Sequence, residues 1–305
     1  MFAALIRSLR PKQWPKNALL FAGYLFTIQQ GHNVDDLLRV LAGFGLFCGL
    51  SGATYMINDV ADIERDRKHP RKCKRPIASG ALPVKVALPF AILMIIAAVL
   101  GAFCLSTGFG VLTSSYLVLT LAYSARLKHV VIIDLLSIAA GFVIRAVAGA
   151  VVIGVAISPW LLVCSTLLAL FLGFAKRRSE LLSLEHGGLD HRPTLSEYSA
   201  PMLDQMLSIT ASTTLMAYCL YTFTAVSSTG QPHPQMMITI PFVVYGLFRY
   251  LFLVQMKNAG GNPELVLLED KPMLLNVLLF MLVAAAALKV PALANMFNYL
   301  HMLKQ

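Results

Sequence analysis

A chain of 305 residues that is 57% hydrophobic and only 13% charged, with a mean hydropathy of +0.71, is not an ordinary soluble domain, in which roughly a quarter of residues are charged. The formal charge of +10 would suit a nucleic-acid binder, but the basic residues sit between apolar segments as topology signals do, so no nucleic-acid partner is expected. Five cysteines without a C-x-x-C pair, four of them in apolar stretches, argue against a zinc site or a disulfide framework.

Nine apolar segments can be drawn, at roughly 17–30, 37–57, 86–106, 109–124, 130–154, 158–175, 205–226, 237–255 and 273–296. Most approach the ~20 residues that cross a bilayer, and the shorter ones suit buried, kinked or locally thinned positions. Ahead of the first stands Arg10-Pro-Lys-Gln-Trp-Pro-Lys-Asn17. No small-residue cleavage site follows it, so it does not read as a cleaved signal. Trp14 suits the headgroup interface and Lys12 can snorkel. Lys16 and Asn17 would open the first helix as an anion contact.

The second segment runs into Asn58-Asp-Val-Ala-Asp-Ile-Glu-Arg-Asp66. If the helix continues, Asn58, Asp62 and Asp66 fall at i, i+4 and i+8 and stack along one face. Three oxygen-bearing side chains at a membrane boundary suit Mg2+, which takes a few carboxylates, keeps waters and accepts substrate phosphates. Arg65, Arg67, Lys68, Arg71, Lys72, Lys74 and Arg75 follow. Acid to hold a metal beside base to hold phosphate is the arrangement expected for a diphosphate substrate. The basic residues alone read more readily as a solvated, orienting loop, whereas the acidic triplet does nothing for orientation.

Further along, Tyr123-Ser-Ala-Arg-Leu-Lys128-His leads to Asp134, and Arg145 lies eleven residues beyond Asp134, close to three helical turns. An Arg at that depth is costly facing lipid. It either closes an internal ion pair or reaches the buried part of an anionic substrate. Gly141, Gly149 and Gly154 on the same helix suit close helix approach. In the 176–204 connection Lys176 and Glu180 are i, i+4, which allows either an interfacial salt bridge of a few tenths of a kcal/mol or a lysine reaching a phosphate. The seven histidines show no ligand spacing.

With the N-terminus in the cytoplasm, 21 of the 25 Lys and Arg fall in cytoplasmic connections, as the positive-inside rule requires. The outer connections are short and bland, so the chemistry belongs at the cytoplasmic mouth. These readings define an all-α, polytopic membrane helix bundle of about nine transmembrane helices. One domain over residues 1–305 is expected, in a bacterial-type inner (plasma) membrane.

Asn58-Asp-x-x-Asp62-x-x-x-Asp66, followed by Lys72-x-x-Arg75-Pro-Ile-Ala-Ser-Gly80, resembles the signature of the UbiA superfamily of intramembrane prenyltransferases over nearly the whole chain. Within it the chain is most similar to the decaprenyl-phosphate phosphoribosyltransferases. That narrower likeness rests on Arg10-Pro-Lys-Gln-Trp-Pro-Lys-Asn17, Leu127-Lys-His129, Ile144-Arg-Ala-Val-Ala-Gly149 and Ala175-Lys-Arg-Arg-Ser-Glu-Leu181. It is extended by Arg192-Pro-Thr-Leu-Ser-Glu-Tyr198 and by Gly261-Asn-Pro-Glu264 with Asp270. The superfamily's second acidic motif is usually Asp-x-x-x-Asp, whereas here Asp134 is followed four residues later by Ile138.

The resemblance implies Mg2+-dependent transfer of 5-phosphoribosyl from phosphoribosyl diphosphate to a polyprenyl phosphate, serving an arabinose donor of the cell envelope. The alternative is a prenyl group moved from its diphosphate to an aromatic acceptor. On this reading Asn58, Asp62 and Asp66 hold the metal, and Asp62, Asp66 and Asp134 are the catalytic acids, with Asp134 a second metal or ribose contact. Lys16, Asn17, Tyr55, Lys72, Arg75, Lys128, Arg145 and Lys176 contact the substrates. The partners are then phosphoribosyl diphosphate, a polyprenyl phosphate lipid and the membrane; a homo-oligomer is compatible with the residues.

Overall fold

In the computed structural model every element among the described residues is helical. The described residues are 1–27, 31–70, 72–156, 158–185, 193–224, 234–257, 259–261, 266 and 269–289. Readings that touch Arg71, His186, His191, Arg192, His233, residues 262–264, His301 and Lys304 lie outside them. The chain packs as two compact units, Met1–Ile157 and Ser158–Gln305.

The first unit opens with α1 (Phe2–Ser8), and Arg10, in the left-handed region at φ 51°, turns the chain into a 3-10 stretch over Pro11–Leu20. Pro15, inside the stretch, removes an N–H and its ring blocks the carbonyl four residues back, so no regular α ladder forms across it, while Pro11 opens the stretch at a position that tolerates proline. Only six residues, α2 (Phe21–Phe26), follow in α geometry, about 9 Å of helix. The first expected span is therefore a bent, short element and not a straight crossing.

α3 (Val34–Ala61) starts from a capping box. Asn33 Oδ1 accepts the Asp36 N–H at 2.8 Å, and Asp36 Oδ2 accepts the Asn33 N–H at 3.2 Å. The helix expected to run on through Asp66 bends instead at Asp62 (φ −95°, ψ 10°), and α4 (Ile63–Lys68) continues beyond it. The turn spacing survives the bend. Asp62 N–H donates to the Asn58 carbonyl at 2.9 Å and Asp66 N–H to the Asp62 carbonyl at 2.8 Å.

α5 (Val84–Leu105) and α6 (Thr107–Ala125) are joined by Ser106, whose Oγ caps α6 through the Phe109 N–H at 3.1 Å. α7 (Ile133–Val152) completes the unit. More than half of the apolar span is buried in α3 and α7, against 17% in α5 and 22% in α6. α3 and α7 are thus the central helices, and α5 turns Leu88, Ile92, Leu93, Ile96 and Leu100 outward, an apolar surface suited to lipid. Leu20, Val40, Phe47, Leu50 and Phe109 form the core between them. A Cβ at Gly149 would run into the Leu20 carbonyl, so the N-terminal 3-10 stretch lies against α7 at backbone contact. Gly154 does not serve close approach: at φ 68° with open space around it, it ends α7 as a left-handed cap.

The second unit contains α8 (Pro159–Glu185), α9 (Ala200–Thr224), α10 (Ile240–Lys257) and α11 (Lys271–Lys289). Arg178 ties three of these together, pairing with Asp204 at 2.5 Å and donating to the Val254 carbonyl at 3.3 Å. Arg249 pairs with Asp270 at 2.8 Å, and Asp270 Oδ1 accepts the Met273 N–H at 2.9 Å, capping α11.

Six helices among the described residues are long and apolar enough to cross a membrane, which makes this a multi-pass membrane protein. Of the nine expected segments, the first is the bent element described above. The sixth lies in α8, whose apolar stretch runs straight into Lys176, Arg177 and Arg178. The ninth begins in α11, whose apolar run among the described residues is Lys271–Ala287, and the rest of that segment lies outside them.

Candidate active site

The end of α3 gathers four acidic or amide side chains with different fates. Asn58 and Asp62 are half-buried, and among the described residues neither side chain is taken up by a hydrogen bond or ion pair. Asp59 and Asp66 are buried and ion-paired. Asp59 accepts from Arg10 and, at 3.0 Å, from Arg75 Nη1; the same Arg75 nitrogen lies 2.6 Å from Asp66 Oδ2. The Arg10 guanidinium also lies over the Tyr55 ring, 4.8 Å from its centre, an attraction for the electron-rich face. One compact cluster therefore joins the N-terminal segment, the end of α3, α4 and the 72–80 connection.

Two of its members, Arg10 and Asp59, were not among the expected site residues. A signal for Asp59 was present: Asp59 and Asp66 are seven residues apart, two turns, and so share a face, while Asn58 and Asp62 lie on a neighbouring one. Nothing local marks Arg10, whose partner is 49 residues away. Lys72 sits half-buried in the 3-10 turn Lys72–Lys74, four residues past the end of α4, with its N–H donating to His69 Nδ1 at 3.2 Å.

A second polar layer lies deeper in the same unit. Asn17, expected at an exposed helix start, is buried: its Nδ2 donates to Ser51 Oγ at 3.2 Å and Cys48 Sγ at 3.3 Å. Its Oδ1 accepts from Arg145 Nε at 2.8 Å. Arg145 also donates to the Gly141 carbonyl at 3.0 Å and to the Tyr116 hydroxyl at 2.6 Å, and its guanidinium lies 4.5 Å from the Tyr116 ring centre. Among the described residues no carboxylate pairs with it. Asn17 and Arg145, read separately as substrate contacts, are bonded to each other. Asp134 is buried at the start of α7, with Oδ1 accepting the Leu135 N–H at 2.9 Å, and Lys128 is half-buried in the turn before it. Lys16 lies in the 3-10 stretch beside Asn17.

Lys176 alone of the expected site residues belongs to the second unit. Its neighbour Arg177, buried, holds Glu180 at 2.7 Å, so the carboxylate expected to pair at i, i+4 is engaged at i, i+3. Asp270, which stands outside the spans just ahead of α11, has its carboxyl held below its ordinary pKa by the bonded Arg249 guanidinium, aided by the Met273 N–H, against a smaller opposing effect of burial.

Among the described residues no three His, Cys, Asp or Glu side chains converge as a ready-made metal cage. The donors fit Mg2+ nonetheless, because that ion needs only one or two carboxylates and completes its octahedron with waters and substrate phosphates. Asn58 and Asp62 offer open oxygens one turn apart, flanking in the chain the Asp59 that Arg10 and Arg75 hold.

Fold and site together are those of an intramembrane transferase. The model of the UbiA prenyltransferase family matches residues 18–268, and the chain belongs to that family. The decaprenyl-phosphate phosphoribosyltransferase of Corynebacterium glutamicum is 34% identical over 271 residues, covering 88% of this chain and 81% of the relative. The protein of the same name from Mycobacterium tuberculosis is 31% identical over 290 residues, covering 94% and 95%. A UbiA homologue from Archaeoglobus fulgidus, solved with GPP and Mg2+, superposes with a TM-score of 0.71 at 19% identity, covering 94% of this chain and all of that one.

Proposed function

We propose that this protein transfers 5-phosphoribosyl from phosphoribosyl diphosphate to a polyprenyl phosphate and releases diphosphate. The observation that carries the reading is the pair of open donors, Asn58 and Asp62, on the helix end where Arg10 and Arg75 gather on Asp59. Its support in sequence is the near full-length likeness to relatives named for this activity. Asn58 and Asp62, with Asp66, would hold Mg2+, which when bound neutralises charge building on the leaving diphosphate.

In the transfer the bond from ribose C1 to the diphosphate oxygen breaks, and a phosphate oxygen of the lipid forms the new bond to C1. The acceptor is already an anion, so no general base has to take a proton. Lys16, Lys72, Lys128 and Lys176 are assigned to the phosphates, Tyr55 to the ribose or its phosphate, and Asp134 to a ribose or second-metal contact. Asn17 and Arg145 are assigned to the lipid phosphate side. The two compact units act as one transferase domain, with the N-terminus and site on the cytoplasmic face of a bacterial plasma membrane. The product feeds envelope arabinose-donor synthesis, and assembly as a homo-oligomer is compatible with this arrangement. Ile138, standing where an aromatic prenyltransferase would carry its last acid, weighs against that alternative.

The test is purified protein with labelled phosphoribosyl diphosphate and polyprenyl phosphate. A lipid-soluble labelled product that needs Mg2+ is expected. Consumption of a prenyl diphosphate with a hydroxybenzoate-type acceptor, and no phosphoribosyl transfer, would overturn the assignment.

A further inference from the structure

Of the three side chains spaced along the acidic helix end, two are open and the third is occupied. Asp66 is buried and bonded to Arg75, with Nη1 2.6 Å from Oδ2. The same nitrogen is anchored 3.0 Å from Asp59, which Arg10 also holds. A guanidinium on a buried carboxylate is a strong, charge-assisted contact. It also places a positive charge where a divalent cation would have to bind. The two cations compete for one carboxylate and repel each other, and that repulsion is only weakly screened inside protein.

Building on the Mg2+–diphosphate reading, we propose that Arg75 is a positioning residue that occupies Asp66 until metal and diphosphate arrive together. Its Nη1 then gives up Asp66 while keeping Asp59, and the rest of the guanidinium turns to the diphosphate. Asp59 is the pivot. It keeps the guanidinium beside the site in both states, so the exchange needs a side-chain swing and no movement of helices. No charge is left buried alone: Asp66 trades one cation for another, and Arg75 trades a carboxylate for a phosphate anion. The consequence is coupled binding. Divalent metal alone meets a site whose third ligand is taken, whereas metal with diphosphate brings the anion that releases it. Binding linkage makes the coupling reciprocal.

The experiment measures Mn2+ binding by electron paramagnetic resonance on full-length protein in detergent, without and with inorganic diphosphate, for wild type, Arg75→Gln and Arg67→Gln. Arg67 pairs with Glu64 at 3.0 Å and reaches the Ala78 carbonyl, so its removal deletes a nearby charge without freeing Asp66. Wild type should bind Mn2+ weakly alone and about tenfold or more tighter with diphosphate, within the usual range of coupling. Arg75→Gln should bind Mn2+ alone about tenfold tighter than wild type and lose most of the diphosphate enhancement. Arg67→Gln should stay within about twofold of wild type in both conditions, as a screened surface charge does.

A gain in metal affinity is an outcome that mere loosening of the fold does not produce. If Arg75→Gln does not fold, Arg75→Lys takes its place, with a smaller shift of the same sign because its single flexible ammonium holds the two carboxylates less firmly than the rigid, planar guanidinium does. Mn2+ bound by wild type but unaltered by the Arg75 variants overturns the exchange and leaves the metal reading standing. No Mn2+ bound by wild type, even with diphosphate, overturns both.

Discussion

Replacing Arg145 by lysine should damage this protein more than replacing it by methionine. The guanidinium makes three hydrogen bonds, to Asn17, the Gly141 carbonyl and the Tyr116 hydroxyl, and is buried among neutral groups. A lysine keeps the buried charge but cannot reach three acceptors in one plane. Losing two charge-assisted bonds at about 1.5–3 kcal/mol each costs ~3–6 kcal/mol. Methionine leaves the Asn17 and Tyr116 oxygens short of a partner, at about 1–3 kcal/mol each. It also abolishes the several kcal/mol spent on burying a charge, so its net cost is ~0–2 kcal/mol.

Thermal unfolding in detergent ranks the variants. A built-in reporter localises the damage: Cys48 is buried and receives a hydrogen bond from Asn17. With the other four cysteines changed to serine, Cys48 should be slow to react with a maleimide in the wild-type background and in Arg145→Met. It should become labelled in Arg145→Lys as the N-terminal segment loosens. A lysine variant as stable as the methionine one, with Cys48 protected in both, would refute the account of this layer.

Gly149→Ala places a methyl group against the Leu20 carbonyl and should lower stability by about 1–3 kcal/mol through overpacking, read as a lower unfolding temperature, while Gly154→Ala should act through its positive φ alone. Asp270 has its folded-state pKa lowered, chiefly by Arg249. Its contribution is therefore present above the unfolded carboxylate pKa of about 4 and lost as pH falls through the folded value. Asp270→Asn should unfold at a lower temperature than wild type at pH 7, with the gap closing on acidification; a gap independent of pH would contradict the pairing.

Much of the architecture could be read from the chain because the bilayer imposes a simple rule, long apolar helices with basic connections on one side. The acidic motif was legible for a similar reason: the turn spacing of Asn58, Asp62 and Asp66 is local and outlasts the bend at Asp62. What local pattern cannot carry is pairing between distant segments. Arg10 with Asp59 and Asn17 with Arg145 are 49 and 128 residues apart; the first pair went unread, and the second joins two residues read as separate ligands. The 3-10 geometry just ahead of the first apolar helix follows from Pro15, which a count of apolar residues does not register. At Glu180, two adjacent bases competed for one acid, and spacing alone did not rank Arg177 above Lys176.

The central claim is that the helix end bearing Asn58 and Asp62 grips the leaving diphosphate through Mg2+. Asp62→Ala, purified from the membrane with an unfolding profile like wild type, measures it most directly in the labelled phosphoribosyl transfer assay. The expected result is loss of transfer by about a hundredfold to a thousandfold, the scale of removing a principal charge-stabilising contact. Transfer at the wild-type rate, with the same Mg2+ requirement, would contradict it.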